Sequence, residues 1–127
     1  VVIFPKIPFK NLPEHLSAAD ILVIPQRDTT DTQGQIPAKL FDAMAMAKPV
    51  ITTPLSDIEE VLGGHGYLID PSNPDQLAKT IEYIFANPEE ARLKGLKARK
   101  RCRELYDIKV LKKELNLQIE KLTIAHS

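Results

Sequence analysis

The sequence predicts an α/β fold, a parallel sheet flanked on both faces by helices. Short β-branched apolar runs alternate with helix-patterned segments, the order that parallel strands with right-handed crossovers require. The runs at 21–24 and 50–51 are apolar without strict alternation, as expected where helices cover both faces of a sheet. Between them lies a helix-patterned stretch opened by Pro37 and stopped by Pro49. A proline suits a first helical turn, whose N–H groups lack partners anyway, and the second proline leads directly into a strand.

Taken in order, residues 1–4 predict a strand, 12–19 a helix, 21–25 a strand, 38–47 a helix, 50–53 a strand, 56–62 a helix, 67–70 a strand and 75–86 a helix. Pro71-Ser72-Asn73-Pro74 is a turn, and Asn73 or Asp75 caps the helix that follows. Leu77, Ile81, Ile84 and Phe85 form one apolar face of that helix. Asn87 is the expected cap of the next, with Pro88 in its first turn and Glu89 and Glu90 facing the positive end of the helix dipole. Lys94, Lys97, Arg99, Lys100, Arg101 and Arg103, then Lys109, Lys112 and Lys113, make a basic run. Glutamates surround it and no aromatic residues interleave, which reads as a solvated helix face and not as a nucleic-acid surface. The last helix carries a sustained apolar stripe, Leu105, Ile108, Leu111, Leu115, Ile119 and Leu122, that needs a partner surface.

The 127 residues, 43% hydrophobic, are one domain's worth of material. Seventeen basic and seventeen acidic residues cancel, so no overall field draws the chain to nucleic acid or to an anionic membrane. Any anion must be held locally. No apolar run approaches the roughly 18 residues that span a bilayer, and the first residues lack the pattern of a signal peptide, so a cytoplasmic chain is expected. Cys102 cannot form an intramolecular disulfide and has no histidine base beside it in sequence, so it reads as structural. His15, His65 and His126 are scattered without metal-ligand spacing, and no zinc site is assigned.

Residues 25–35 form a long polar loop directly after one buried strand and before the helix at 38–47. In open parallel sheets that location, beyond the carboxyl end of a strand, is where ligands bind. The whole unit, Ala19-Asp20-Ile21-Leu22-Val23-Ile24-Pro25 with Pro37-Ala38-Lys39-Leu40-Phe41-Asp42-Ala43-Met44-Ala45-Met46-Ala47-Lys48-Pro49-Val50-Ile51, resembles the donor-binding domain of GT-B glycosyltransferases, family 4 (glycosyltransferases group 1). The segment Val1 to Ile7 with Leu12-Pro13-Glu14-His15-Leu16, and Gly66-Tyr67-Leu68-Ile69-Asp70-Pro71, are similar to neighbouring units of the same domain.

The resemblance implies a Rossmann-like parallel sheet flanked by helices, part of the C-terminal domain of a GT-B fold, with residues 1–127 as a single N-terminally truncated nucleotide-sugar-binding domain. It implies retaining transfer from a nucleotide-diphosphate sugar to an acceptor held by an N-terminal domain, with no metal or other cofactor. Two upstream strand-helix units, which in the family supply an arginine and a lysine to the diphosphate, are not among these residues, so the fragment alone is expected to be inactive and no catalytic residue is assigned. Gln35, Ile36 and Pro37 line up with the family's phosphate-facing loop. Helix N-termini favour anions, although Pro37 has no N–H to donate. Asp42 falls where the family has the second glutamate of a pair, the one that accepts from ribose hydroxyls. Eight residues upstream the family's first glutamate is replaced by Gly34. Either Asp31, Thr32 or Gln33 takes over its contact with the donor sugar, or backbone does. Lys39 offers a cation to phosphate or is a surface lysine, and Lys6 and Ile7 fall where the family flanks the nucleobase.

Self-association through an open sheet edge and the last helix is expected, and any membrane contact would be peripheral, through the absent domain. The rival reading is a non-catalytic Rossmann-like binding or interaction module that Gly34 has cost its donor. A receiver domain is excluded by its own chemistry, because Pro5-Lys6, not an acidic cluster, follows the first apolar run.

Overall fold

The computed structural model describes residues 1–126. Three short parallel strands, β1 (Leu22–Ile24), β2 (Val50–Thr52) and β3 (Tyr67–Leu68), lie in the order β1-β2-β3. Val23 sits opposite Ile51, and Ile51 opposite Tyr67. A helix lies between each strand and the next, α2 (Ala38–Ala45) and then α3 (Ile58–Leu62), as parallel pairing demands. A 3-10 turn (Phe9–Asn11) and α1 (Leu12–Ser17) precede the sheet, and α4 (Pro74–Ala86), α5 (Pro88–Leu105) and α6 (Ile108–Ala125) follow it.

Neighbouring residues of a strand point to opposite faces, and β2 shows the consequence. Val50 joins Leu40, Ala43, Met44, Ile58 and Leu62 in one core cluster. Ile51 joins Tyr67, Ile69, Ile84 and Ala91 in the other. Spacings of three and four residues put the buried Leu40, Ala43 and Met44 on one stripe of α2. Against it α5 turns Ala98 and Cys102, with Gly95 one turn before them beside the end of α2. The approach is close: a Cβ on Gly95 would stand 2.2 Å from the carbonyl oxygen of Ala47, in the turn after α2. Only glycine fits there.

Several expectations are corrected. Residues 1–4 form no strand. Among the described residues β1 pairs only with β2, and Val1, Val2, Ile3 and Phe4 stay exposed, with the Phe4 ring edge-on to His15 at 6.3 Å. Asn73, and not Asp75, caps α4, its Oδ1 accepting from Gln76 N–H at 3.0 Å. Asn87 does not cap α5. Its side-chain amide turns back and donates to the Tyr83 carbonyl (2.9 Å), closing α4 instead. Phe85 is exposed and does not share the apolar face of Leu77, Ile81 and Ile84.

The basic run is only partly a solvated face. Arg101 donates from Nε to the Val61 carbonyl (2.9 Å) and from Nη2 to the Glu60 carbonyl (2.8 Å), satisfying the last turn of α3. Lys94 lies over the Tyr67 ring, 4.3 Å from its centroid. The apolar stripe of α6 stays exposed, and that helix has no buried residue among those described. None of the described helices is long and apolar enough to cross a membrane.

Candidate functional site

Beyond the end of β1 the chain forms a loop that holds itself together before it reaches α2. The Thr32 hydroxyl accepts from Thr29 N–H (3.0 Å) and donates to the Arg27 carbonyl (2.5 Å), while Gln33 Nε2 donates to Asp28 Oδ1 (2.9 Å). Of the three side chains near the family's missing glutamate, Thr32 and Gln33 are therefore engaged inside the loop. Asp31 is exposed and its carboxylate has no hydrogen-bond or salt-bridge partner among the described residues.

Gly34 then takes φ +83°, a left-handed conformation that favours glycine, with open space where a side chain would stand. That turn delivers Gln35, Ile36 and Pro37 to the start of α2. Gln35 is exposed and its N–H donates to the Thr32 carbonyl at 3.3 Å. The Ile36 side chain packs against the core cluster of Leu40 and Met44, so only its peptide can serve a ligand. Pro37 precedes the first turn with extended backbone (φ −66°, ψ 130°), and no side chain caps the helix. Ala38 and Lys39 therefore begin α2 exposed, with first-turn N–H groups that lack an intrahelical acceptor. A partial positive charge faces outward there.

One turn further on, Asp42 is half-buried, and its carboxylate makes no hydrogen bond or salt bridge among the described residues. It stands close enough to α5 for its charge to act on Cys102. Burial pushes the Cys102 thiol above its ordinary pKa, and the negative charges of Asp107 and Asp42 push it further. The Cys102 thiol also sits 3.9 Å from the Phe41 carbonyl, and Phe41 meets Tyr106 edge-on at 5.3 Å. A buried thiol with a raised pKa is a poor nucleophile, in keeping with a structural role. That Cys102 lies within reach of both Asp42 and Asp107 was not visible in the sequence, because sixty residues separate it from Asp42 and no local pattern links the two.

Gly34, Gln35, Ile36, Pro37, Lys39 and Asp42 thus lie along one loop-to-helix path. Lys6 and Ile7 do not share it. They lie in the segment leading into the 3-10 turn before α1, Lys6 exposed and Ile7 half-buried. Lys39 is exposed and has no salt-bridge partner among the described residues, so its charge is available to an anion.

Residues 1–87 match the family model for glycosyl transferases group 1. No curated protein matches the chain. Among solved structures the chain is similar to sucrose-phosphate synthase from Thermosynechococcus elongatus, with a TM-score of 0.82 and 24% identity over 96% of this chain and 30% of that one. It is similar also to Anabaena HepE, solved in complex with UDP (TM-score 0.79, 16% identity, 87% of this chain and 30% of that one). The HepE complex with UDP-glucose gives a TM-score of 0.76 at 17% identity, again over 87% of this chain and 30% of that one. The chain therefore spans about 30% of the length of these structures, and at such identities the likeness is one of fold.

Proposed function

Because the chain belongs to the glycosyl transferases group 1 family, we propose that it forms the donor-binding part of a retaining glycosyltransferase that uses a nucleoside-diphosphate sugar. The observation that carries this reading is the uncapped start of α2, presented by the Gly34 turn beyond the carboxyl end of β1, with Asp42 unpaired one turn along. The diphosphate sits against the first-turn N–H groups of Ala38 and Lys39 and the peptides of Gln35 and Ile36, with the Lys39 ammonium as a point charge. Pro37 contributes shape and no donor. Asp42 accepts from the ribose hydroxyls, and Lys6 and Ile7 flank the base. The likeness to HepE, which was solved with UDP and with UDP-glucose, supports a nucleotide-sugar ligand.

In the reaction the bond from the anomeric carbon to the diphosphate breaks, the acceptor hydroxyl's oxygen forms the new bond with the same anomeric configuration, and its proton passes to the departing diphosphate, which leaves as an anion. Donors already aimed at that developing charge lower the barrier, because they need no reorganisation as it forms. The reading calls on backbone amides and cations for this, and on no metal. It assigns the acceptor to a second domain. Gly34, with nothing standing where an acidic side chain would meet the donor sugar, favours a second reading as a non-catalytic module.

Calorimetric titration with UDP, GDP and ADP separates the two. One nucleotide binds and Asp42→Ala weakens it about tenfold or more, the scale of a hydrogen bond to a charged group. An unchanged dissociation constant in Asp42→Ala would remove the ribose role, and no binding of any nucleotide would favour the module.

A further inference from the structure

Charge balances over the whole chain but not along it. Residues 94–113 hold nine of the seventeen basic residues and only two of the seventeen acidic ones, Glu104 and Asp107. Two of the nine, Lys94 and Arg101, turn inward to backbone carbonyls of the fold. Six of the others line one surface: Arg99, Lys100, Arg103 and Lys109 in the groove between α5 and α6, and Lys112 and Lys113 in a stretch along α6 that shares Lys109. Carboxylates do little to neutralise them. Glu104 meets only Lys100, at 3.9 Å, and the Asp107 carboxylate accepts from the Lys109 backbone N–H (2.8 Å). Arg99, Arg103, Lys109, Lys112 and Lys113 have no salt-bridge partner among the described residues.

Apolar side chains stand among these cations. Leu96 of α5 and Val110 and Leu117 of α6 line the same surface and are 44%, 37% and 41% exposed. Val110 and Leu117, seven residues apart, share a side of α6 that is not the side of Leu111, Leu115 and Leu122. Whatever covers that stripe therefore leaves this face open. Unpaired cations with leucines set between them suit a surface that is anionic outside and apolar beneath. The long Lys and Arg stems can lie on the apolar layer while their charges stay among the headgroups. A nucleic-acid strand would find no aromatic side chain in this lining to stack on its bases. A second copy pairing through the same face would set like charges against one another. We propose that the face between α5 and α6 docks the chain onto an anionic lipid bilayer, peripherally, since none of the described helices is long and apolar enough to cross one. The donor site plays no part in this reading, and either can fail without the other.

The test is co-sedimentation of the whole chain with vesicles of phosphatidylcholine alone and of an equal mixture with phosphatidylglycerol, at low salt and at ~1 M NaCl, where the screening length falls to about 3 Å. The chain binds the mixed vesicles and not the neutral ones, and high salt releases it. Each cation near an anionic leaflet strengthens binding roughly fivefold, so Arg99→Glu with Arg103→Glu weakens it about 25-fold or more. Both side chains are exposed, and this variant keeps the parental thermal midpoint. Lys10→Glu with Lys79→Glu makes the same change of charge at exposed positions elsewhere and keeps most of the binding. Because the chain has no tryptophan, Leu117→Trp supplies a single probe, whose emission moves to the blue on mixed vesicles. Equal binding to neutral vesicles, no binding to either, equal loss in the two double variants, or a Leu117→Trp emission that stays that of indole in water would overturn the site.

Discussion

Gly95 decides how near α5 can come to the turn that ends α2, since any Cβ there would collide with the Ala47 carbonyl oxygen. That oxygen is backbone and cannot swing aside. Gly95→Ala is therefore expected to destabilise the chain by about 1–3 kcal/mol, the cost of overpacking a filled interior, and to lower the thermal midpoint by several degrees. An unchanged midpoint would contradict the packing described. A second residue-scale consequence concerns Tyr67. Glu90 receives the hydroxyls of Tyr83 (2.7 Å) and Tyr67 (3.5 Å). Burial first, and then the Glu90 charge, push the Tyr67 phenol from 10.0 up to about 12. The folded state thus favours the protonated phenol, so its contribution to stability is whole below pH 10 and is lost as pH rises toward 12. Ultraviolet titration should show Tyr67 and Tyr83 both ionising late, Tyr83 because its hydroxyl is bonded to Glu90, and Glu90→Gln should bring both part of the way down toward 10.0. A titration that does not move in the variant would remove Glu90 as a cause. Residues of this kind divide by how local their signals are. Gly34, Pro37 and Asp42 could be singled out because they stand at fixed offsets along one loop-to-helix run, whereas the packing of Gly95 and the bonds of Glu90 depend on partners that no local pattern marks.

At the scale of elements, α3 shows how a short helix survives. It has five residues, too few to be stable alone, and it ends at Gly63 in the left-handed conformation. Arg101, from α5, bonds two of its last carbonyls and lies where a Gly63 side chain would go. Arg101→Ala should leave those carbonyls unpaired, costing about 1–3 kcal/mol, and speed amide exchange in residues 58–63 more than in α4. Uniform acceleration across the chain would instead mean that α3 is not held separately. Periodicity located this helix but could not identify its clamp, because a basic run in sequence does not say which of its members turn inward. The strand expected at residues 1–4 failed for a related reason. β-branched residues make a strand only when they pair with a neighbour, and residues 1–4 pair with none although the outer edge of β1 stands open. Asn87 was misread because it stands between two helices and either could claim its side chain.

For the whole molecule, the parallel sheet with both faces covered was legible from the alternation of apolar runs and helical stretches, and it is what brings loops 25–37, 53–57 and 69–73 to one edge. The family was legible too, in the run from Ala19 to Ile51, and the match over residues 1–87 bears it out. The cleft beyond the three strands, lined by Gln26 and Thr53, was not, since its walls come from three separate loops. The central claim is that the first turn of α2 receives a nucleoside diphosphate. An amide NMR titration with UDP tests it most directly, with GDP and ADP as comparisons. The account predicts saturable shifts centred on residues 35–42 for one nucleotide and much smaller ones for the others. Shifts centred elsewhere, or none at ~1 mM, a concentration at which a ligand held by only about 4 kcal/mol is half bound, would contradict it.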